Sequence, residues 1–295
     1  MRAAVIGAGG FIGGTLVRRI AASGADVVAL DIQAPAELPR QIPFKALDVT
    51  AGPFDLPDNV DAIFYLAQSS AYREFPERAG DLFAVNVLGA VRAAEAACRA
   101  GAKFFLYASS GNVYAPSFDS LLENSALAEN DPYAVSKQMA ENALRLFGSE
   151  LTVLSVRLFG VFGPNQKQML PFVLRRRVEA GEPIDLEPSS IDPDDEGGLR
   201  VSFTYVEDLG TILLDLAEKA LAGTELPPLL NVADPHAKSV RQFALAVGQV
   251  LGKVPVFRAT ETARAGDLVA DISRLQNALD CEFTPFERAI ERTIE

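Results

Sequence analysis

The sequence predicts an α/β fold, a doubly wound parallel sheet followed by a smaller C-terminal cap. Short β-rich runs alternate with helical stretches through the first half of the chain, and this alternation is typical of a parallel sheet. Several of the strand-like runs are apolar almost throughout, as expected when helices cover both faces of a sheet. The 295 residues, of which 49% are hydrophobic and 22% charged, are enough for one large α/β domain or two unequal ones.

Strand-like and helical segments follow one another in a regular order. In the first half, strands are predicted at residues 3–6, 26–31, 43–47, 61–66, 103–108 and 151–158, and helices at 11–22, 81–100 and 132–146. Later strands are predicted at 203–206 and 229–232, and later helices at 170–180, 207–222, 239–251 and 285–294. Residues 185–198 are rich in Pro, Asp and Gly, which predicts an exposed loop. We assign residues 1–164 and 201–234 to the sheet domain, and 165–200 and 235–295 to the cap.

A glycine-rich turn lies between the first strand and the first helix. Gly7, Gly10 and Gly13 are spaced three apart, and glycines here permit a tight turn and a close approach of the backbone to a ligand. The N–H groups at the start of the following helix favour an anion such as a pyrophosphate. The strand–turn–helix context therefore predicts a Rossmann-type dinucleotide site at Gly7, Gly10, Phe11, Ile12 and Gly13.

An acidic residue ends the second predicted strand. Asp31 follows Gly13 by 18 residues, which places a carboxylate at the adenosine ribose hydroxyls of a dinucleotide. A carboxylate there repels a 2′-phosphate, and no Lys or Arg follows until Arg40. The sequence therefore predicts NAD rather than NADP, the alternative being that Asp31 is an ordinary turn residue. Asp48 and Val49 end the third strand, and we predict that they bracket the adenine.

A tyrosine and a lysine stand four positions apart in a predicted helix that begins at Pro132. Tyr133 and Lys137 lie on one face of such a helix, so the ammonium can lie beside the phenol. A free phenol has a pKa of about 10 and is a poor base at neutral pH. A neighbouring cation favours the phenolate, and we expect Lys137 to lower the pKa of Tyr133. Ser110 precedes this pair, and the alternative is a surface Tyr and Lys on an amphipathic helix.

Charge and cysteine usage narrow the function classes. The formal net charge of −12 disfavours nucleic acids and anionic membranes as partners. No apolar stretch approaches the ~20 residues needed to span a bilayer, and no signal peptide is recognised. Two cysteines, Cys98 and Cys281, and the single His236 argue against a disulfide framework or a zinc site. We therefore expect a cytoplasmic protein without a metal site.

Taken together, the motifs resemble the NAD-dependent epimerase/dehydratase family of the extended short-chain dehydrogenase/reductases. The resemblance is spread over nearly the whole chain. The matching segments are 7–13, 48–49, 66–67, 86–89, 109–114, 133–137, 157–164, 203–208 and 231–233.

The resemblance implies roles for particular residues. Tyr133 would be the catalytic acid/base, Lys137 would hold the nicotinamide ribose, and Ser110 would bond the reacting sugar oxygen. Leu66 and Ala67 would line the cofactor site. Asn86 would be a structural residue on the cofactor side. The resemblance also implies a nucleotide-sugar substrate, a substrate-binding role for the cap, and a homodimer formed through segments 81–100 and 132–147.

Some positions depart from the family pattern. Dehydratases of the family carry an acidic pair directly after the active-site Ser or Thr, where this chain has Gly111 and Asn112; this argues against 4,6-dehydration. Gly160 replaces a usual Asn, and Arg200 stands one place early in the phosphate-binding run. Gln168 and Arg200 remain candidates for binding the substrate.

The hypothesis with most support is epimerisation of a nucleotide sugar at C4, through a transient 4-keto intermediate. A second hypothesis keeps the same residues but makes the protein a dehydrogenase or ketoreductase with net redox. A third is a non-catalytic NAD-binding regulator, which the joint presence of Ser110, Tyr133 and Lys137 disfavours.

Overall fold

The computed structural model describes residues 1–35, 38–192 and 194–294. The strands in chain order are β1 (Arg2–Ile6), β2 (Asp26–Asp31), β3 (Phe44–Ala46), β4 (Ala62–Tyr65), β5 (Phe104–Ser110), β6 (Thr152–Leu158), β7 (Val161–Phe162), β8 (Ile184–Leu186), β9 (Arg200–Val201), β10 (Thr204–Tyr205), β11 (Leu229–Val232), β12 (Lys238–Ser239) and β13 (Phe257–Ala259). A seven-stranded sheet runs in the order β3-β2-β1-β4-β5-β6-β11, and all of its pairings are parallel. The predicted Rossmann-type fold is confirmed.

Helices cover both faces of this sheet. They are α1 (Phe11–Ala22), α2 (Ala79–Phe83), α3 (Ala90–Ala100), α4 (Pro132–Arg145), α5 (Met169–Ala180), α6 (Val206–Leu221), α7 (Val240–Leu251), α8 (Ser273–Ala278) and α9 (Phe286–Ile294). The chain leaves β1 and β4 in opposite directions across the sheet, so their carboxyl ends flank a crevice where such folds bind ligands. None of these described helices is long and apolar enough to cross a membrane.

Successive strand residues pack on opposite faces, which explains why the strands are apolar throughout. Phe64 and Leu106 contact the layer formed by α1 and α6. Tyr65 and Tyr107 contact the layer formed by α3 and α4. Small side chains in α3, including Ala93 and Ala97, are fully buried and allow this helix to lie close to the sheet.

The helix predicted over residues 81–100 is continuous from Ala79 to Ala100 and contains a π-helical segment. A π-helical segment, Ala84–Gly89, joins α2 to α3. Two tyrosine hydroxyls from the sheet donate to its carbonyls: Tyr65 to Val85 O at 2.6 Å and Tyr107 to Asn86 O at 3.1 Å. These bonds from β4 and β5 satisfy carbonyls in the wider turn, and π-helical turns often occur at functional sites.

A third hydrophobic cluster joins residues assigned to the cap with residues 162 and 201–205 of the sheet domain. Four phenylalanines, at 162, 203, 243 and 286, pack between α5, α7 and α9, with the rings of Phe203 and Phe243 4.7 Å apart. Further along the chain, Ala270, Ile272 and Leu275 pack instead against the sheet domain. The last part of the chain therefore packs on the sheet domain through residues 270–275 and on the phenylalanine cluster through Phe286.

Candidate active site

The glycine turn is fixed by contacts that exclude side chains. Gly7 has a φ of +90°, and a Cβ there would lie 2.5 Å from the backbone nitrogen of Ala67. Its N–H donates to the Leu30 carbonyl at 2.9 Å. The helix α1 begins directly after Gly10, and no side chain caps its first turn. Backbone donors at this helix start therefore fit the pyrophosphate of a dinucleotide.

Asp31 lies against the same turn. Its Oδ2 accepts the Gly9 N–H at 2.8 Å, so the end of β2 holds a carboxylate beside the start of α1. Leu66 and Ala67 follow β4, and the Leu66 carbonyl carbon is 2.7 Å from the position of a Gly7 Cβ. The structure thus brings Asp31, Leu66 and Ala67 together at the glycine turn.

Asp48 and Val49 come after β3. The Asp48 carboxylate accepts both the N–H and the hydroxyl of Thr50, at 2.8 and 2.6 Å, and these bonds lower the pKa of Asp48. Val49 is buried, and its Cγ2 lies 2.8 Å from where a Cβ on Gly89 would be. Asp48 is therefore held in a local turn, and Val49 packs against the π-helical segment.

Helix α4 carries Tyr133 into the crevice beside the end of β5. Asp131 caps the helix by accepting the Ala134 N–H at 2.7 Å, and Pro132 occupies the first turn. The Tyr133 hydroxyl donates to Gln68 Oε1 at 3.0 Å. The ring of Tyr72 lies 5.4 Å from that of Tyr133, so two side chains from the segment after β4 contact the predicted acid/base.

Lys137 and Ser110 meet Tyr133 at the end of β5. The Lys137 side chain is buried, and its Nζ donates to Ala108 O at 2.8 Å. This Nζ lies 5.8 Å from the centroid of the Tyr133 ring. Ser110 is the last residue of β5, and its Oγ accepts the Asn112 N–H at 3.2 Å. The three residues that the sequence predicts as catalytic therefore lie together.

The prediction that Lys137 depresses the pKa of Tyr133 is wrong. Burial raises the pKa of Tyr133 to about 12, and a hydrogen bond with Ser110 opposes this only in part. Burial also lowers the pKa of Lys137 from 10.5 to about 7, against the opposing effect of the Glu141 charge. Desolvation is the largest cause of both changes, and Lys137 is not among the groups that shift the pKa of Tyr133.

Replacing Lys137 by Met is expected to stabilise the fold at acidic pH. Since burial lowers the folded-state pKa to about 7, the charged amine costs roughly 5 kcal/mol at pH 6. Loss of the bond to Ala108 offsets about 1–3 kcal/mol of the gain. The penalty is complete below pH 7 and vanishes as pH rises toward 10.5, so the variant's advantage in free energy of unfolding should shrink between pH 6 and pH 9.

Chemical denaturation at both pH values measures this effect. The exposed Lys103, changed to Met, is the matched control and should show no pH-dependent gain. An equal effect of K137M at pH 6 and pH 9 would contradict the lowered pKa of Lys137.

A buried ion pair, Arg157–Glu141, lies next to the site. Arg157, on β6, binds Glu141 through Nε at 3.0 Å and Nη2 at 2.7 Å, and both side chains are at most 10% exposed. Ser109 donates to the same carboxylate. Glu141 follows Lys137 by one helical turn, so the period of α4 alone could have indicated it.

Asn86 ties three elements together beneath the site. Its fully buried side chain accepts the Ser69 N–H at 3.1 Å and donates to Ser136 Oγ at 2.9 Å. Ser136 in turn donates to the Tyr133 carbonyl at 2.7 Å. Asn86 thereby joins the π-helical segment to the segment after β4 and to α4.

Gly111 stands where dehydratases of the family carry an acid, Gly160 stands where the family usually has Asn, and packing explains both glycines. A Cβ on the buried Gly111 would lie 2.6 Å from the Phe159 ring. Gly160 has a φ of +45°, and a Cβ there would lie 2.6 Å from Val201 Cγ1. Position 111 therefore has no room for an acidic side chain, and position 160 has none for Asn.

The predicted substrate residues Gln168 and Arg200 are both exposed. Gln168 precedes α5 and Met169, whose sulfur accepts the Tyr72 hydroxyl at 3.3 Å. Neither the Gln168 nor the Arg200 side chain forms a hydrogen bond or an ion pair with the residues that the structure describes. The Arg200 backbone N–H donates to Asp267 at 3.0 Å.

The loop predicted to be exposed over residues 185–198 is partly fixed by an ion pair. Asp195 pairs with Arg264, whose side chain is 5% exposed and also binds Asp267 at 2.8 Å. Pro193 lies outside the described residues. No group of three or more His, Cys, Asp or Glu within the described ranges could hold a metal ion.

The family model described as the NAD dependent epimerase/dehydratase family matches residues 3–233. The chain belongs to this family. NAD is accordingly its cofactor, and the glycine turn and uncapped helix start described above fit that dinucleotide. The resemblance predicted from the sequence is confirmed.

Relatives in this family have differing activities. A dTDP-4-dehydro-6-deoxy-D-allose reductase from Streptomyces sp is 26% identical over 98% of this chain and 94% of its own. A UDP-glucose 4-epimerase from Mycolicibacterium smegmatis is 34% identical over 56% of this chain and 58% of its own. The comparisons thus show a family of nucleotide-sugar enzymes that includes both epimerases and reductases.

Two solved structures match the whole fold. MoeE5 in complex with UDP-glucuronic acid and NAD is 27% identical, with a TM-score of 0.79, over 100% of this chain and 98% of its own. The UDP-glucose 4-epimerase of Thermus thermophilus in complex with NAD is 26% identical, also with a TM-score of 0.79, over the same shares.

Proposed function

We propose that the protein epimerises a nucleotide sugar at C4 through a transient 4-keto intermediate, with Tyr133 as the acid/base. One observation carries this proposal: Ser110, Tyr133 and Lys137 converge at the end of β5, and Tyr133 bonds Gln68, which directly follows the Leu66 and Ala67 that pack on the glycine turn. The two positions after Ser110 hold no acid. The site is thus equipped to move one proton at one sugar hydroxyl.

In this mechanism Tyr133 takes the proton of the 4-hydroxyl and later returns it to the same oxygen. Bound NAD would supply the reversible hydride acceptor and, in its oxidised form, a positive charge that favours the phenolate. The Ser110 hydroxyl donates to the reacting oxygen as negative charge develops there. Lys137, held by the Ala108 carbonyl at 2.8 Å, would bind the nicotinamide ribose.

The competing function is net oxidation or reduction by the same residues, which the reductase relative favours. The two functions differ in their need for added cofactor. We would incubate the purified protein with UDP-glucose or UDP-glucuronic acid and no added NAD, and follow the sugar by NMR. Conversion to the 4-epimer supports epimerisation; a product that forms only with stoichiometric NAD or NADH supports net redox.

We propose that Asp31 sets the preference for NAD by binding the adenosine ribose hydroxyls. Its carboxylate already accepts the Gly9 N–H at 2.8 Å, and its negative charge beside the glycine turn would repel a 2′-phosphate. Wild-type protein should bind NAD much more tightly than NADP by titration calorimetry. D31A should weaken NAD and relax the discrimination, and equal affinities in wild type would refute this assignment.

We also propose a cytoplasmic homodimer that pairs α3 and α4 with the same helices of a second copy. Leu88, Met139 and Leu146 leave 46%, 48% and 78% of their surfaces exposed. They belong to the π-helical segment and to α4 and its end, in the segments through which the family resemblance implies pairing. Burial of these side chains would remove apolar surface from water.

A further inference from the structure

We propose that Gln68 is a positioning residue for the Tyr133 proton, able to hold the phenolic oxygen in both protonation states of the reaction. This inference rests on the proposed role of Tyr133 as acid/base. It concerns a residue that neither the glycine turn nor the Tyr–Lys pair indicates.

The first support is direct contact with the reacting atom. The Tyr133 hydroxyl donates to Gln68 Oε1 at 3.0 Å. The two residues are 65 positions apart in the chain, and Gln68 comes directly after Leu66 and Ala67, which border the glycine turn. The amide therefore lies between the cofactor side of the crevice and the phenol.

The second support is that hydrogen bonds fix the backbone around Gln68. The Ser69 N–H donates to Asn86 Oδ1 at 3.1 Å, and the Ser69 hydroxyl donates to Asp81. The Ala71 N–H donates back to Ser69 Oγ at 3.1 Å. These bonds fix the segment after β4, so the Gln68 side chain meets Tyr133 from a set position.

The chemistry of a primary amide suits a group that must give and take a proton in one turnover. The amide carries an acceptor oxygen and a donor nitrogen on the same terminal carbon. Oε1 accepts from the phenol, as it does here, and rotation of the terminal bond would turn Nε2 toward the phenolate. A carboxylate at this position offers no donor and repels the phenolate, and an aliphatic side chain offers neither group.

Among the described residues, the other groups that act on the Tyr133 hydroxyl come from α4, β5 and the segment after β4. Burial has the largest effect on the pKa of Tyr133 and raises it, a hydrogen bond with Ser110 of β5 lowers it, and the charges of ionised Tyr72 and of Asp131 raise it further. Lys137 faces the ring from one helical turn away, and Tyr107 lies beyond it. The Gln68 amide is thus a second neutral partner beside the Ser110 hydroxyl, and it can accept from the phenol or donate to the phenolate.

The test compares Q68E and Q68M, which change the hydrogen-bonding groups but little of the size, with S70A as the matched control. Ser70 is exposed in the same segment. Turnover should fall about 10–100-fold in Q68M with KM within about threefold of wild type, because the effect is on proton transfer. In Q68E the apparent pKa assigned to Tyr133 in the pH–rate profile should rise by about one unit or more. S70A should match wild type.

A second readout needs no sugar substrate. Protein labelled with 13C at the tyrosine ζ carbon reports the hydrogen bond and ionisation of each phenol, and Y133F identifies the relevant signal. Q68M should move that signal at pH 8, and S70A should not. An unmoved signal, or an unchanged pH profile in Q68E, would overturn the role of Gln68 while leaving the proposed epimerisation intact. If no nucleotide sugar is turned over, the proposed function fails and the signal still decides whether Gln68 holds the phenol.

Discussion

Changing Tyr133 to Phe is expected to lower turnover by roughly 10²–10⁴-fold, the usual worth of a positioned acid/base. The substitution removes the oxygen that takes and returns the sugar proton. It keeps the ring, which packs 5.4 Å from that of Tyr72, so the fold of the site should be unchanged. Binding of NAD should persist within a few-fold, because the glycine turn and Asp31 are untouched.

The measurements are the initial rate on the accepted nucleotide sugar and the NAD content of the purified variant. Tyr72 provides the matched control, since Y72F also deletes one hydroxyl near the site but only the one that donates to Met169. Y72F should stay within about fivefold of wild type. A Y133F variant with near wild-type turnover would show that another group moves the proton.

The sheet and the cofactor end could be predicted from the sequence because their signals are local. The motif of Gly7, Gly10 and Gly13 can be recognised as soon as a strand is predicted before it and a helix after it. Asp31 is set by the end of β2, whose residues pair with those of β1 in register. Tyr133 and Lys137 share a face because one helix carries both.

The rest of the site depends on contacts between distant segments. Gln68 meets Tyr133 only because the segment after β4 folds against α4, 65 positions away. The π-helical turn at Asn86 depends on hydroxyls from Tyr65 and Tyr107 on two strands. No local pattern encodes either contact.

The direction of the two pKa changes could not be predicted from the sequence, because it also depends on contacts between distant segments. Spacing alone brings Lys137 close to Tyr133 and suggests that the cation stabilises the phenolate. The tertiary fold buries both side chains, and that desolvation raises the pKa of Tyr133 and lowers the pKa of Lys137. Glu141, one turn further along α4, could have been predicted from periodicity, but its bidentate partner Arg157 comes from β6.

The protein is expected not to form a 4-keto-6-deoxy sugar from dTDP-glucose, CDP-glucose or a UDP-hexose. Loss of water across C5 and C6 needs a base at C5 and an acid at the 6-hydroxyl. Gly111 and Asn112 stand where the family's dehydratases carry these acids, so elimination should be slower than return of hydride by several powers of ten. The product would be visible by its alkaline absorbance or by a mass loss of one water.

Restoring an acid at position 111 is expected to destabilise the fold, because the site is tightly packed. In G111D the new Cβ would lie 2.6 Å from the buried Phe159 ring, so the change should lower the thermal midpoint by several degrees, through about 1–3 kcal/mol of overpacking. N112E is the matched control, because Asn112 is exposed and can take the larger side chain without loss of stability. Dehydrated product from wild type at a catalytic rate would refute C4 epimerisation. It would also require an acid from outside this turn, and Asp195 of the acidic loop over residues 185–198 is already paired with Arg264.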